Sequence, residues 1–196
     1  MEKILNVTMD FLYKNEENMD EEKAEIIKYG LELLFIKITF FAATMVIGLF
    51  MHSFWQCLIF TTFFSGIRSF AGGYHANSRI QCFVQSMITF AAVLIILKLV
   101  KLYEMILIPI VVLSIISSIV IFCFAPVDTE NKRIDDEESR IFKVKSRIIM
   151  MIEIVVAVIA YFIGFQSISC SVMLALIVTA ILISVEIIKR RAKCDQ

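Results

Sequence analysis

Leu107-Ile108-Pro109-Ile110-Val111-Val112-Leu113-Ser114-Ile115-Ile116-Ser117-Ser118-Ile119-Val120-Ile121-Phe122-Cys123-Phe124-Ala125 holds no charged side chain. A helix needs about 20 such residues to cross the hydrocarbon core of a bilayer, where its backbone must satisfy its own hydrogen bonds. Working outward, comparable apolar runs recur on both sides. They give expected spans at 31–51, 52–69, 83–100, 103–125, 147–165 and 168–188. The second is short and leads directly into a polar segment, which reads either as a plain loop or as a partly re-entrant one. The chain has 196 residues and is 59% hydrophobic, above the roughly 45–50% of soluble domains. Its mean hydropathy is +0.83. The alternation of a β-barrel strand is absent. The fold class expected is therefore all-α, a polytopic integral membrane protein of about six transmembrane helices with an amphipathic N-terminal helix. One domain covers 1–196, with an interfacial segment at 1–30, a six-helix bundle at 31–188 and a tail at 189–196.

Charge sets the expected orientation. Sixteen of the 19 Lys and Arg residues fall in segments on one side if both termini are inside, and only Lys98 and Lys101 fall on the other. Positive residues favour the cytoplasmic side. Both termini and the polar segment at 68–82 are then cytoplasmic, in a reducing compartment where a cysteine stays a thiol. The first 30 residues lack the apolar core of a cleavable signal peptide. Net charge is zero, which gives no support for nucleic-acid binding. Cys57, Cys123 and Cys170 lie within apolar runs and read as packing residues.

The polar segment Arg68-Ser69-Phe70-Ala71-Gly72-Gly73-Tyr74-His75-Ala76-Asn77-Ser78-Arg79-Ile80-Gln81-Cys82 is the candidate site. It holds one of only two histidines in the chain. His75 and Cys82 are seven residues apart, about two helical turns. A thiol and an imidazole are the minimum parts of a thiolate nucleophile with its base. Gly72 and Gly73 allow close approach of another chain. Asn77 or Ser78 is suited to cap a helix running through Cys82 and Ser86. Arg68 and Arg79 are suited to a carboxylate. The same residues also read as a plain tight turn between spans. His52 belongs to the opposite interface. No metal site is expected, because the segment lacks about four ligands, and paired intramembrane acids for aspartyl chemistry are absent. Lys37, Glu153 and Glu186 fall within spans, where ionisable residues face the bundle interior or snorkel to the interface. A Lys37–Glu153 pair shaping a polar cavity is one reading of them.

Arg68-x3-Gly72-Gly73-Tyr74-His75-Ala76-x5-Cys82-x3-Ser86 resembles the signature of the AgrB family of membrane peptidases. Ala125-Pro126-Val127-Asp128-Thr129-Glu130-Asn131-Lys132 is similar to that family's loop after its fourth span, with Arg133 replacing the usual next proline. The resemblance implies Cys82 as nucleophile and His75 as general base. Arg68, Gly72 and Gly73 would be needed near the site, and Ser86 would support it. It implies a cysteine endopeptidase of the cell membrane that processes an AgrD-like propeptide into a cyclic quorum-sensing peptide. Cleavage would pass through a thioester on Cys82, and an internal Cys or Ser of the propeptide would close a thiolactone or lactone. A homodimer in the lipid bilayer and no cofactor are also implied. The competing readings are a transporter or export partner for a small peptide, and a hydrolase releasing a linear product.

Overall fold

The computed structural model describes residues 21–74, 79–127 and 136–194. All of their regular structure is helical: α1 Glu21–Phe50, α2 Phe54–Ala71, α3 Arg79–Leu102, a 3-10 turn Glu104–Ile106, α4 Leu107–Phe124, α5 Asp136–Phe162 and α6 Gln166–Cys194. Each of the six apolar runs thus lies on a helix of its own. The chain is an all-α membrane protein. Four stretches, Lys23–Phe50, Gln81–Leu102, Glu104–Phe124 and Gln166–Ala192, are long and apolar enough to cross a membrane by length and composition. Asn77, Ser78 and the N-terminal amphipathic segment up to residue 20 lie outside the described residues.

The described residues form two compact units divided between Val46 and Ile47, within α1. In the second unit α6 is central, and α2, α4 and α5 all pack on it. Its buried positions include Ser169, Cys170, Ser171, Ala175, Thr179 and Ala180. Small residues let neighbouring helices approach closely where lipid supplies no hydrophobic drive for association. Ser169 Oγ donates to the Ala157 carbonyl of α5 at 2.8 Å, tying the α5–α6 hairpin at its turn. Toward the other end of α6, Ile67 and Ala71 of α2, Ile121 of α4, Met150 of α5, and Leu176, Ala180 and Ile183 of α6 form one buried cluster. The cluster is closed by Ala125 and Val127, the residues flanking Pro126. Opposite faces expose large apolar side chains, such as Ile88, Ile95, Ile108, Ile115 and Ile119, as lipid-facing surfaces do.

Helix ends are locally specified. α5 carries Glu137 and Glu138 in its first turn, and α6 carries Lys189, Arg190 and Arg191 toward its end. Both suit the helix dipole. α1 stops in a Schellman motif, with Ser53 N–H bonded to the Gly48 carbonyl at 2.8 Å and His52 N–H to that of Leu49 at 3.0 Å. His52 occupies the left-handed position with φ of 50°. Histidine is among the side chains that tolerate this region, whereas a β-branched residue there is strained. We expect His52→Val to lower stability in detergent by about 1–2 kcal/mol and His52→Gly not to. Thermal unfolding of the two variants checks this.

Candidate active site

The two sequence motifs meet in space. α2 ends at Ala71, and Gly72 N–H bonds back to the Arg68 carbonyl at 3.3 Å. Val127 N–H donates to the Ala71 carbonyl at 3.0 Å, and Gly72 and Val127 form an isolated parallel bridge. On the other side, Tyr74 N–H donates to the Leu182 carbonyl of α6 at 3.0 Å. Residues 72–74 are therefore stitched between the loop after α4 and the central helix.

Both glycines are required by this stitching. Gly72 has φ of 72° and Gly73 φ of 110°, which side-chain-bearing residues rarely adopt. A Cβ on Gly72 would run into the Val127 carbonyl oxygen. One on Gly73 would meet Arg68 Nη1 and, at 3.2 Å each, Ile183 N and Leu182 C.

Arg68 clasps the same segment. Its Nη1 donates to the Gly72 carbonyl and its Nη2 to the Tyr74 carbonyl. A planar guanidinium presents two donors at a fixed spacing, so a single side chain spans both acceptors. Arg68 also lies within electrostatic reach of Cys82 and Glu186. Glu186 is buried in α6, and its Oε1 is 3.4 Å from Arg190 Nε one turn further on. Lys189 Nζ stands 5.2 Å from the centre of the Tyr74 ring, a cation–π contact.

Cys82 is a half-buried free thiol on the fourth residue of α3. Cys82 lines a cavity of about 100 Å³. Gln85, Ser86 and Thr89 continue along the same face of α3, and Arg68 and Tyr74 border it. Phe64, Phe90 and Leu182 supply apolar walls. The cavity thus brings Arg68, Cys82 and Ser86 together. Gln85, Thr89 and the three apolar wall residues were not singled out from sequence, although Cys82, Gln85, Ser86 and Thr89 follow the i, i+3, i+4, i+7 spacing of one helix face.

The expected base His75 lies outside the described residues, as does the turn from Asp128 to Lys132. Lys37 is an exposed residue of the first unit. Glu153, in the second, is only 1% exposed, and neither carboxylate oxygen has a hydrogen-bond partner among the described residues. Glu153 is therefore an interior residue and does not snorkel. Cys57 and Cys170 are buried as expected of packing residues, but Cys123 is exposed. A lipid-facing side is as apolar as a core, so position within an apolar run does not decide burial. Among the described residues no group of three His, Cys, Asp or Glu could hold a metal ion.

Comparison with known proteins agrees with the two motifs. A protein named as AgrB-like from Clostridium perfringens strain SM101 is 31% identical over 172 residues, covering 83% of this chain and 80% of that protein. A second, named as AgrB-like protein 2 from Clostridium perfringens strain 13, is 30% identical over 130 residues, covering 64% of this chain and 61% of that protein. No solved structure matches the chain significantly. The family described as Accessory gene regulator B matches residues 5–184, and the chain belongs to that family.

Proposed function

We propose that this protein is a membrane cysteine endopeptidase that cuts an AgrD-like propeptide through a thioester on Cys82 and promotes its cyclisation. Family membership supports the broader part of this reading, a role in accessory gene regulator autoinducer processing. The single observation that carries the finer part is the cavity at the Cys82 thiol, bordered by an arginine that clasps the segment leading to His75. In the proposed reaction His75 takes the Cys82 proton, and the thiolate attacks a propeptide carbonyl. The tetrahedral oxyanion collapses, the C–N bond breaks, and the imidazolium returns its proton to the leaving amine. The N-terminal part remains as an acyl group on Cys82. A thiol or hydroxyl within it then attacks the thioester carbonyl, closing the ring and freeing Cys82.

Each feature has a physical task here. A thioester keeps the acyl group activated for the second attack, which an amide or a carboxylate would not. Apolar walls around the acyl group exclude the water that would divert it to hydrolysis. Holding both reacting ends on one scaffold raises their effective concentration. A positive charge near Cys82 favours the developing oxyanion. We further propose that both termini and this site face the cytoplasm, in line with the distribution of Lys and Arg.

The test is mass spectrometry of a cognate propeptide incubated with the protein in lipid vesicles. Wild type should release the C-terminal fragment, give a cyclic product one water lighter than the linear acid, and carry a transient acyl group on Cys82. Cys82→Ala and His75→Ala should do none of these. Equal cleavage by all three proteins would overturn the proposal. A linear product alone would favour a simple hydrolase.

A further inference from the structure

The cavity at Cys82 is not a uniform cleft. Past the thiol it follows α3 away from the 72–74 segment, along Gln85, Ser86 and Thr89. Thr89 Oγ1 donates to the Gln85 carbonyl at 2.9 Å, so its one proton is used within its own helix. Phe90 of the same helix, Phe64 of α2 and Leu182 of α6 complete the lining. The two rings meet edge to face with centroids 6.4 Å apart, and Phe90 is also braced by Phe60 at 5.0 Å. Phe90 and Phe60 are fully buried, so this aromatic wall is set by the bundle core and forms a built surface.

We propose that this cavity is the acyl-side subsite: it receives the apolar side chain of the residue whose carbonyl Cys82 attacks. The inference rests on the cysteine-peptidase reading and adds a substrate preference to it. The acyl part must stay on the protein between the two steps, whereas the leaving part must depart. A pocket beside the nucleophile, walled by Phe64, Phe90 and Leu182 and edged by polar side chains, is suited to the part that stays. The volume is about 100 Å³. A closed apolar cavity of about 150 Å³ admits benzene. This one is smaller but open at one side, so a leucyl or methionyl group fits it, a phenyl group fills it to its mouth, and the larger indole does not fit. Arg68 at the near end has Nη1 and Nη2 on the Gly72 and Tyr74 carbonyls, so a carboxylate carried past it would compete with those bonds or sit against Phe64 and Phe90 at a desolvation cost.

N-acetylaminoacyl benzyl thioesters of Ala, Leu, Phe, Trp and Glu test this without knowledge of the propeptide. The Cys82 thiolate attacks the probe's carbonyl, benzyl mercaptan leaves with the proton, and intact-protein mass reads the acyl group. The full-length protein is used in phosphatidylglycerol vesicles, with Cys82→Ala as the blank. Leu and Phe should acylate Cys82 roughly 10-fold or more faster than Ala, Trp or Glu, the discrimination an apolar pocket gives per side chain. Phe64→Ala should admit the Trp probe. Thr89→Phe should fill the cavity and slow Leu and Phe while sparing Ala. Equal rates for all probes, with Cys82 acylated, would overturn the subsite and leave the nucleophile in place. No acylation of Cys82 by any probe would overturn both. Size selection unchanged by Phe64→Ala and Thr89→Phe alike would also overturn the assignment of this cavity.

Discussion

Gly73→Ala is expected to cut propeptide cleavage by roughly 100-fold while leaving the protein helical and membrane-inserted. The added methyl would press on Arg68 Nη1 and on the α6 backbone at Ile183 and Leu182. The φ of 110° is itself unfavourable for alanine. Backbone on the α6 side cannot withdraw as the end of a flexible side chain can, so the 72–74 segment must move. That movement breaks the Tyr74 to Leu182 hydrogen bond and shifts whatever follows Tyr74, beginning with His75. A displacement of about 1 Å at a reacting group is enough for a loss of this size. The bundle has its own buried cluster from Ile67 to Ile183, so the lesion is local. Circular dichroism and vesicle flotation should match wild type while cleavage, followed by mass, collapses. Near-normal cleavage by Gly73→Ala would mean that the tight packing of this segment on α6 has no part in the reaction.

The helices were largely legible from sequence, because uncharged runs of spanning length have few other uses. Their ends were less so. The run at 147–165 marks only the lipid-compatible part of α5, which begins at Asp136. The residues in between alternate apolar and charged side chains that a helix can keep in water. Similarly α3 starts at Arg79, ahead of its apolar run. Cys82 and Ser86 were readable as parts of one helix, and the loop at Ala125-Pro126-Val127 was recognisable by its likeness to the family's loop.

That Val127 of this loop docks on Ala71 and Gly72 was not readable. The contact joins residues more than fifty positions apart, and no local pattern records such a pairing. The aromatic wall was hidden for a different reason. Phe64 and Phe90 are two of 17 phenylalanines, nearly all in apolar runs where rings face core or lipid alike. The same ambiguity explains the exposed Cys123. In water, burial can be guessed from polarity, but in a bilayer that signal is lost outside the few polar positions.

Arg68→Lys is expected to lose nearly as much cleavage as Arg68→Ala, roughly 100-fold, although lysine keeps the charge. The reason is geometric. Arg68 serves two carbonyls at once, Gly72 through Nη1 and Tyr74 through Nη2. Each hydrogen bond from a charged donor contributes about 1.5–3 kcal/mol, and each 1.4 kcal/mol is about a factor of ten in rate. An ammonium is a compact point donor without the planar fork, so it cannot reproduce both bonds in the same geometry. The segment between the two carbonyls holds Gly73, and the residue after them is the proposed base. Loosening either end therefore loosens the anchor from which the proposed base must reach Cys82. The alternative is that Arg68 acts only as a nearby positive charge, since it lies within electrostatic reach of Cys82. The two roles part company in the lysine variant. Single-turnover cleavage by Arg68→Lys at more than half the wild-type rate would assign Arg68 to charge alone. A loss matching Arg68→Ala, with Cys82 still alkylated by iodoacetamide in both variants, would assign it to holding the 72–74 segment.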